Sequence, residues 1–274
     1  MRATKVIAIA NQKGGVGKTT TVVNLAAALS ELKKTVLVID LDPQANATSG
    51  LGLARQQGTS LYSVITGTSD IADIIQGTPY DGINIIPAEL DLAGAEIEIA
   101  RVENHLGVIR SILDRVLIAG VFDFVIMDCP PSLGILMTSS LAAADGIIVT
   151  MQCEYYAMEG LSVITNLIEQ FRTNGVNPDL QLEGILMTMY DGRTRLAADV
   201  VQEVRTHFGD KVYETVIPRN VRISEAPSFG QPVIYYDPSS RGAEAYRSFA
   251  AEFVQRNGPG AASVVQSTTP DSVA

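Results

Sequence analysis

The strongest constraint on the fold is a glycine-rich loop, NQKGGVGKTT (11–20), which stands between a short apolar run and a helical pattern. Its end matches the phosphate-binding pattern G-x-x-x-x-G-K-[ST], with Gly17, Lys18 and Thr19 in the last three positions. Gln12 replaces the opening glycine, and Lys13 follows it. A glycine turn in an unrelated strand–helix unit is the alternative, but the order of strand, loop and helix favours a phosphate-binding loop.

Each part of this loop has an expected role at a bound nucleotide. The glycines allow backbone N–H groups to turn towards phosphate oxygens. Lys18 supplies positive charge at the β- and γ-phosphates, and Thr19 offers a hydroxyl to Mg²⁺. The following helix adds the positive end of its dipole. The residues predicted to bind the nucleotide here are Lys13, Gly14, Gly15, Val16, Gly17, Lys18, Thr19 and Thr20.

Short apolar runs alternate with longer amphipathic stretches along the rest of the chain. Most runs are continuously apolar, as are strands buried on both faces of a parallel sheet. The alternation predicts a doubly wound, mostly parallel α/β sheet flanked by helices, in one domain covering 1–256. Residues 257–274, rich in Gly, Ser, Thr and Pro, predict a disordered tail. The predicted strands are 5–10, 35–40, 83–87, 122–128, 146–152, 184–190 and 212–218, and the main predicted helices are 20–33, 105–117, 160–174, 195–208 and 242–255.

Charge and cysteine content limit the possible partners and the cellular location. The net charge of −10 argues against nucleic-acid binding by the molecule as a whole. Acids dominate residues 40–103, however, whereas acids and bases roughly balance in 191–256, which leaves room for a local basic face. Two cysteines are too few for a disulfide framework, and no apolar run is long enough to span a bilayer. We therefore expect a cytoplasmic protein.

Three acidic residues that follow predicted strands are candidates for metal binding and catalysis. Asp40 and Asp42 lie two residues apart in VLVIDLDPQAN, and Asp128 ends FDFVIMD. In nucleotide-binding sheets, an acid at the carboxyl end of a buried strand holds Mg²⁺ directly or through water. We expect Asp128 to do this, Asp42 to orient the attacking water, and Asp40 to support the metal and the loop from behind. Turn formation and helix capping are the alternative roles, and the sequence does not separate Asp40 from Asp42.

Four segments of the sequence together resemble one protein family. KGGVGKTT, LVIDLDPQANATSGLG, FVIMDCPPSLG and VIPRNVRISEAPSFGQPVIYYDPSSRGAEAY are similar, in order and spacing, to the ParA/Soj partitioning ATPases of the deviant Walker A group. The resemblance runs from about Lys5 to about Glu252. It implies a P-loop ATPase that uses ATP and Mg²⁺ and segregates chromosomes or plasmids. Ala45 stands where the family usually has glycine, and we expect little consequence.

The resemblance also implies a role for Lys13. In this group the equivalent lysine reaches the nucleotide of a second subunit, so that a homodimer sandwiches two ATP molecules. Such a lysine offsets the repulsion between two triphosphates, and Gly14 leaves room for the partner loop. A solvated loop lysine is the alternative. Pro218 and Asn220 are implied to contact the adenine, with Asp191 a further candidate near the base.

DNA and a second protein are the other partners that the resemblance implies. ATP-bound dimers of the family bind double-stranded DNA without sequence preference and are released when a ParB-type partner stimulates hydrolysis. Non-specific binding depends on neutralisation of phosphates by Lys and Arg. We therefore expect a nucleoid-associated protein, with ordinary solvated arginines as the alternative. The candidate DNA contacts are Arg193, Arg195, Arg219, Arg222 and Arg247.

Two other functions use the same kind of loop. A MinD-like membrane-associated positioning ATPase would end in a basic amphipathic helix. The last residues, GPGAASVVQSTTPDSVA, contain no basic residue and no helical period, so no membrane binding is expected. A small-molecule kinase or ligase would need an insertion that binds the acceptor, and no segment is long enough to serve as one.

Overall fold

The computed structural model describes residues 4–154 and 157–257. In this part of the chain, a sheet of eight strands has the order β3-β4-β2-β5-β1-β6-β7-β8. All neighbouring strands run parallel except β3 and β4. The prediction of a doubly wound, mostly parallel α/β sheet is therefore confirmed. The strands are β1 (Lys5–Ala10), β2 (Val36–Asp40), β3 (Gln76–Gly77), β4 (Ile83–Ile86), β5 (Phe124–Asp128), β6 (Gly146–Gln152), β7 (Gln181–Tyr190) and β8 (Val212–Pro218).

Helices cover both faces of the sheet. No helix within the described ranges is both long enough and apolar enough to cross a membrane. The helices are α1 (Lys18–Glu31), α2 (Asn46–Gly50), α3 (Leu61–Ile65), α4 (Ile71–Ile74), α5 (Ala95–Ala100), α6 (Val108–Ala119), α7 (Ile135–Ala143), α8 (Ala157–Thr173), α9 (Arg195–Phe208), α10 (Val221–Glu225), α11 (Val233–Tyr236) and α12 (Arg241–Asn257).

The sheet separates two hydrophobic cores, and the central strand β1 contributes side chains to both. Its Val6, Ala8 and Ala10 belong to one core, and Ile7 and Ile9 belong to the other. This follows because successive side chains of a strand point to opposite faces of the sheet. The first core is covered by α3 to α9, and the second by α1, α2, α11 and α12. Burial on both sides explains the continuous apolar pattern of β1.

Most differences from the predicted elements lie at their ends. The predicted helix 105–117 begins with a 3-10 turn, His105–Gly107, before α6 starts. The sequence did not predict α7, and burial explains why: seven of its nine residues are buried, so it lacks an amphipathic period. Asn257, which the sequence assigned to the tail, is the last residue of α12. The remainder of the predicted tail lies outside the described residues.

Candidate functional site

The glycine-rich loop follows β1 and opens α1 at the carboxyl edge of the sheet. Gly15 and Gly17 have φ values of 74° and 85°, in the left-handed region that favours glycine. Gly14 differs from them, because its φ lies outside that region and a Cβ added there would meet no atom within 4 Å. Nothing within the described part of this chain therefore requires glycine at position 14.

The two lysines of the loop differ in burial. Lys18 is only 7% exposed, and its Nζ donates to the carbonyl oxygen of Lys13 at 3.1 Å. Burial lowers the pKa of Lys18, whereas nearby negative charge, first that of Asp128, opposes this shift. The side chain of Lys13 is 45% exposed, and its Nζ lies 2.9 Å from Oε2 of Glu154. Lys18 is thus buried within its own loop, whereas Lys13 lies at the exposed rim of the candidate site.

Side chains from the ends of β6 and β7 hold the loop in place. Gln152 donates from Nε2 to the carbonyl oxygen of Gly15 at 2.9 Å. The Thr188 hydroxyl donates to the carbonyl oxygen of Val16, also at 2.9 Å. Sequence reasoning missed both residues. The available signal was a polar side chain near the end of an apolar strand, which does not by itself identify what that side chain binds.

Asp128, the last residue of β5, is a fully buried carboxylate. Neither of its oxygens makes a hydrogen bond of normal geometry with a described residue, although the Thr19 hydroxyl lies close enough to act on it as a donor. Burial, reinforced by Asp40, raises the pKa of Asp128 well above its ordinary value, while Thr19 and Lys18 act in the opposite direction. A buried, unpaired carboxylate is costly, and a cation removes that cost. Together with the Thr19 hydroxyl in the first turn of α1, it fits Mg²⁺ completed by water and phosphate oxygens.

No group of three or more His, Cys, Asp or Glu side chains that could hold a metal occurs in residues 4–154 and 157–257.

Asp40 lies directly beside Asp128, because these residues are register partners in β2 and β5. Its Oδ2 accepts hydrogen bonds from the Thr48 backbone N–H at 2.8 Å and the Thr48 hydroxyl at 2.7 Å. Its Oδ1 accepts from the Asp42 backbone N–H at 3.2 Å. Burial raises the pKa of Asp40 to about 6, against the effect of these hydrogen bonds. Both oxygens of Asp40 are thus already occupied by hydrogen bonds from Thr48 and Asp42.

Asp42 is half-buried and keeps one carboxylate oxygen available. Oδ1 accepts from the Gln44 backbone N–H at 2.9 Å, and Oδ2 has no hydrogen-bond partner among the described residues. That oxygen can therefore accept a proton or a hydrogen bond from water. Ala45 nearby has a φ of 52°, in the left-handed region that favours glycine. Contrary to the expectation of little consequence, the alanine therefore costs about 1–2 kcal/mol of backbone strain.

The predicted adenine contacts lie at the same edge of the sheet but on its outermost strand. Pro218 ends β8 opposite Tyr190 of β7. The Asn220 side-chain oxygen accepts from the backbone N–H groups of Arg222 and Ile223, at 2.8 and 3.3 Å, and so caps α10. Although β8 is three strands away from β1, the loop reaches Thr188 of β7, the strand next to β8, so Pro218 and Asn220 lie one strand beyond the loop's own contacts.

Four of the five arginines predicted to contact DNA form ion pairs. Arg193 binds Asp191 through two nitrogens, at 2.9 and 2.7 Å, which lowers the pKa of Asp191 to about 2. Arg219 makes no ion pair with a described residue, and it lines a cavity of about 260 Å³ with Asp191 and Glu154. The remaining pairs join Arg195 to Asp199, Arg222 to Glu225 and Asp237, and Arg247 to Glu31.

Arg247 is the predicted contact that the structure separates from the loop. Its partner, Glu31, is the last residue of α1, at the end opposite the loop. The 14 residues of α1 span about 21 Å. Any contact of Arg247 with DNA would therefore lie apart from the nucleotide site.

The sequence matches a family model described as an AAA domain over residues 4–182. It is 49% identical over 255 residues to the sporulation initiation inhibitor protein Soj of Bacillus subtilis, covering 93% of this chain and 99% of that protein. It is 47% identical over 253 residues to the chromosome partitioning protein ParA of Caulobacter vibrioides, covering 92% of this chain and 94% of that protein. Both similarities extend over nearly the whole described chain.

Solved structures with the same fold carry nucleotides and magnesium. A cobyrinic acid a,c-diamide synthase from Mycobacterium smegmatis with bound ADP and magnesium is 37% identical, with a TM-score of 0.79, and the match covers 92% of this chain and 95% of that one. The septum site-determining protein MinD of Pyrococcus horikoshii, in complex with Mg-ADP, is 27% identical, with a TM-score of 0.75 and coverage of 93% and 98%.

Proposed function

Because the chain belongs to the ParA/Soj family of chromosome-partitioning ATPases, we propose that it is a DNA-partitioning switch driven by ATP. With ATP and Mg²⁺ it forms a sandwich dimer that binds DNA, and hydrolysis releases it. The observation that carries this proposal is the different placement of two lysines in one loop. Lys18 is buried within its own subunit, whereas Lys13 is exposed at the rim, where a second subunit can approach.

The nucleotide and its metal ion occupy the edge where β1 and β5 end. Backbone N–H groups of the loop and the ammonium of Lys18 bind the phosphates. Thr19 and Asp128 hold Mg²⁺, which when bound neutralises charge on the β- and γ-phosphates. The buried, unpaired carboxylate of Asp128 supports this assignment. The bound ADP and magnesium in the similar synthase structure support the choice of ligands.

Dimerisation brings Lys13 of each copy to the triphosphate bound by the other. The charge offsets the repulsion between two triphosphates in a site that excludes water. The open space at Gly14 supports a dimer contact there, because a side chain at this position has no clash within its own chain. Dimerisation thereby depends on the γ-phosphate of the bound nucleotide.

Hydrolysis needs a water molecule held in line with the γ-phosphate. Asp42 orients this water through its available oxygen, and Asp40 holds the Asp42 backbone N–H in place. The ATPase reaction yields ADP and phosphate, and the loss of the γ-phosphate removes the group that Lys13 binds in the partner. A ParB-type protein stimulates this step.

DNA binding rests on arginines near the ends of β7 and β8. Arg219, which has no ion pair with the described residues, is the strongest candidate. Arg222 lies close to it in sequence, and Arg193 pairs with Asp191, which lines the same cavity as Arg219. Dimerisation doubles the number of positive charges presented to the phosphates. Because non-specific binding depends on basic side chains that neutralise phosphates, this binding should weaken strongly as salt increases. The protein would be cytoplasmic and associated with the nucleoid.

Co-sedimentation with DNA tests the switch. We expect binding with ATP and Mg²⁺ that is independent of sequence and sensitive to salt, and weak binding with ADP or without nucleotide. Equal binding in all three states would contradict the switch. The Asp42→Ala variant should dimerise and bind DNA with ATP but not turn ATP over.

Two variants of the loop test the sandwich itself. Lys13→Ala should bind ATP as a monomer, because its charge acts on the partner. Gly14→Ala should also remain monomeric while its melting temperature without nucleotide is unchanged, since the added methyl meets nothing within its own chain. Normal dimerisation of Lys13→Ala would show that the lysine has no role between subunits.

The structural neighbours keep two alternatives open to experiment. Similarity to MinD favours a membrane-associated positioning ATPase as the second candidate, and vesicles of anionic lipid in place of DNA test it. Similarity to the diamide synthase favours amide formation, which would appear as ATP turnover dependent on an added carboxylic acid and glutamine. The partitioning relatives share more residues with this chain, 49% against 37%, which is why we propose the partitioning function.

A further inference from the structure

The carboxylate of Glu154 forms an ion pair with Lys13, the lysine that the proposed dimer requires. Nζ of Lys13 lies 2.9 Å from Oε2 of Glu154, and the two side chains are 45% and 51% exposed. Both groups are solvated, so this ion pair breaks at little cost. The ammonium of Lys13 thus has a weak partner within its own chain.

The residues just before Glu154 are anchored against the loop and against β7. Gln152 binds the carbonyl oxygen of Gly15, and the Glu154 backbone N–H donates to the Gln152 carbonyl oxygen at 2.9 Å. The Cys153 thiol lies 3.6 Å from the carbonyl oxygen of Thr188. These contacts fix where the Glu154 carboxylate is presented, and they tie that position to the conformation of the loop.

We propose that Glu154 is a positioning residue that retains Lys13 in the single subunit and releases it only to a triphosphate on a second copy. This inference rests on the proposed function, because it assumes that Lys13 acts between subunits. A nucleoside triphosphate with its γ-phosphate carries more negative charge than one carboxylate, so it draws the ammonium away. A diphosphate competes less well. Glu154 therefore raises the protein concentration at which the ATP-bound dimer forms.

The expected size of the effect follows from exposed ion pairs in general. Each contributes a factor of about 1.4 to 5 to an equilibrium constant, and a symmetric dimer breaks two of them, which gives roughly 2- to 25-fold. The effect should shrink as ionic strength rises, because exposed charges are screened.

The test is the dimer dissociation constant of the full-length Glu154→Gln variant, measured by sedimentation with Mg²⁺ and a slowly hydrolysed ATP analogue. We expect it to fall by roughly 2- to 25-fold at low salt, with little change in ADP. The control is Glu98→Gln, which removes the same charge from an exposed pair with Arg101 at 3.1 Å and should leave the constant unchanged. An unchanged or weaker dimer in Glu154→Gln would overturn the proposal.

A double variant separates this inference from the proposed function. If Glu154 acts through Lys13, adding Glu154→Gln to Lys13→Ala should change nothing further. An effect of Glu154→Gln that persists without the lysine would reject the positioning role. If Lys13→Ala dimerises normally, the sandwich itself is wrong. If Lys13→Ala stays monomeric while Glu154→Gln behaves like the native protein, only the role of Glu154 is wrong.

Discussion

Carboxylates on the two sides of the loop have opposite pKa shifts. On the β2–β5 side, burial raises the pKa of Asp40 to about 6 and that of Asp128 well above its ordinary value. On the β7–β8 side, Arg193 lowers the pKa of Asp191 to about 2. The pKa of Glu252 is also lowered: burial alone would raise it, but the backbone N–H groups of Thr215 and Glu214 outweigh burial.

The difference indicates what each carboxylate contributes. A group whose pKa is raised by burial is destabilised in its charged form, so its charge does not stabilise the fold. A carboxylate of this kind is suited to binding a cation, which stabilises its charged form. A group whose pKa is lowered by donors stabilises the folded state in its charged form. We therefore expect substitution of Asp128 to act mainly on ligand binding and turnover, and substitution of Glu252 or Asp191 to act mainly on stability or surface binding.

Thr48→Val should have the largest effect, because Thr48 is what makes the buried charge of Asp40 tolerable. The change removes the hydroxyl that donates to Asp40 and accepts from the Ala88 backbone N–H at 2.9 Å. Leaving these groups unsatisfied should lower the free energy of unfolding by about 3–5 kcal/mol, measured by urea titration. Thr173→Val, whose exposed hydroxyl contacts only its own helix, is the matched control. A loss below about 1 kcal/mol would show that Asp40 does not depend on Thr48.

Asp128→Asn should separate function from stability. The amide has the same shape without the costly buried charge, so the free energy of unfolding without nucleotide should not fall. ATP turnover should fall about 10- to 100-fold, because a group at the metal is lost. Urea titration and a phosphate-release assay measure the two effects. A large loss of stability would mean that Asp128 supports the fold after all.

Glu252→Gln should show the opposite behaviour. Glu252 accepts from the Glu214 and Thr215 backbone N–H groups of the edge strand β8, at 2.8 and 3.0 Å. Loss of the charge should cost about 1–2 kcal/mol at pH 7 without affecting turnover. Because the folded pKa is depressed, this stability is present above the ordinary pKa of 4.5 and is lost as pH falls through the folded value.

Urea titration across pH checks this sign. The native protein should lose its advantage over Glu252→Gln in acid. Glu203→Gln, an exposed change on α9, is the control and should have no effect at either pH. A constant difference across pH would show that the charge of Glu252 is not what matters.

The sequence predicted those site residues whose chemistry is local to a motif. Lys18, Thr19 and Asp128 were predicted because each stands at a fixed place next to a strand, and the structure brings them to one edge of the sheet. The parallel sheet followed from its continuously apolar runs. Contacts between separate elements were missed: Thr48 of α2 meets Asp40 at the end of β2, and Gln152 of β6 meets Gly15 of the loop, only after the chain has folded. No local period encodes such a contact.

Charge pairing is the other property that the sequence could not supply. The sequence pointed to arginines as DNA contacts by their type and region, but it could not show that four of the five pair with a carboxylate. In β7 and β8, the ends of the strands bring Asp191 and Arg219 to one cavity, although they are distant in sequence. The relative availability of these arginines is therefore a result of the fold.

Asp191→Asn should have the smallest effect, and it tests whether pairing limits the arginines. Asp191 holds Arg193 through two hydrogen bonds at an exposed site. Neutralising Asp191 therefore frees the Arg193 guanidinium, but because exposed ion pairs are weak the gain in DNA affinity should be modest. With saturating ATP, we expect DNA affinity to rise about 2- to 5-fold at low salt and the gain to shrink at high salt. Fluorescence anisotropy with labelled duplexes measures this. Asp114→Asn removes the same charge from a pair with Arg110 at 3.4 Å on α6, and it should leave the affinity unchanged. Equal gains in both variants would mean that net charge alone, and not the release of Arg193, sets DNA binding.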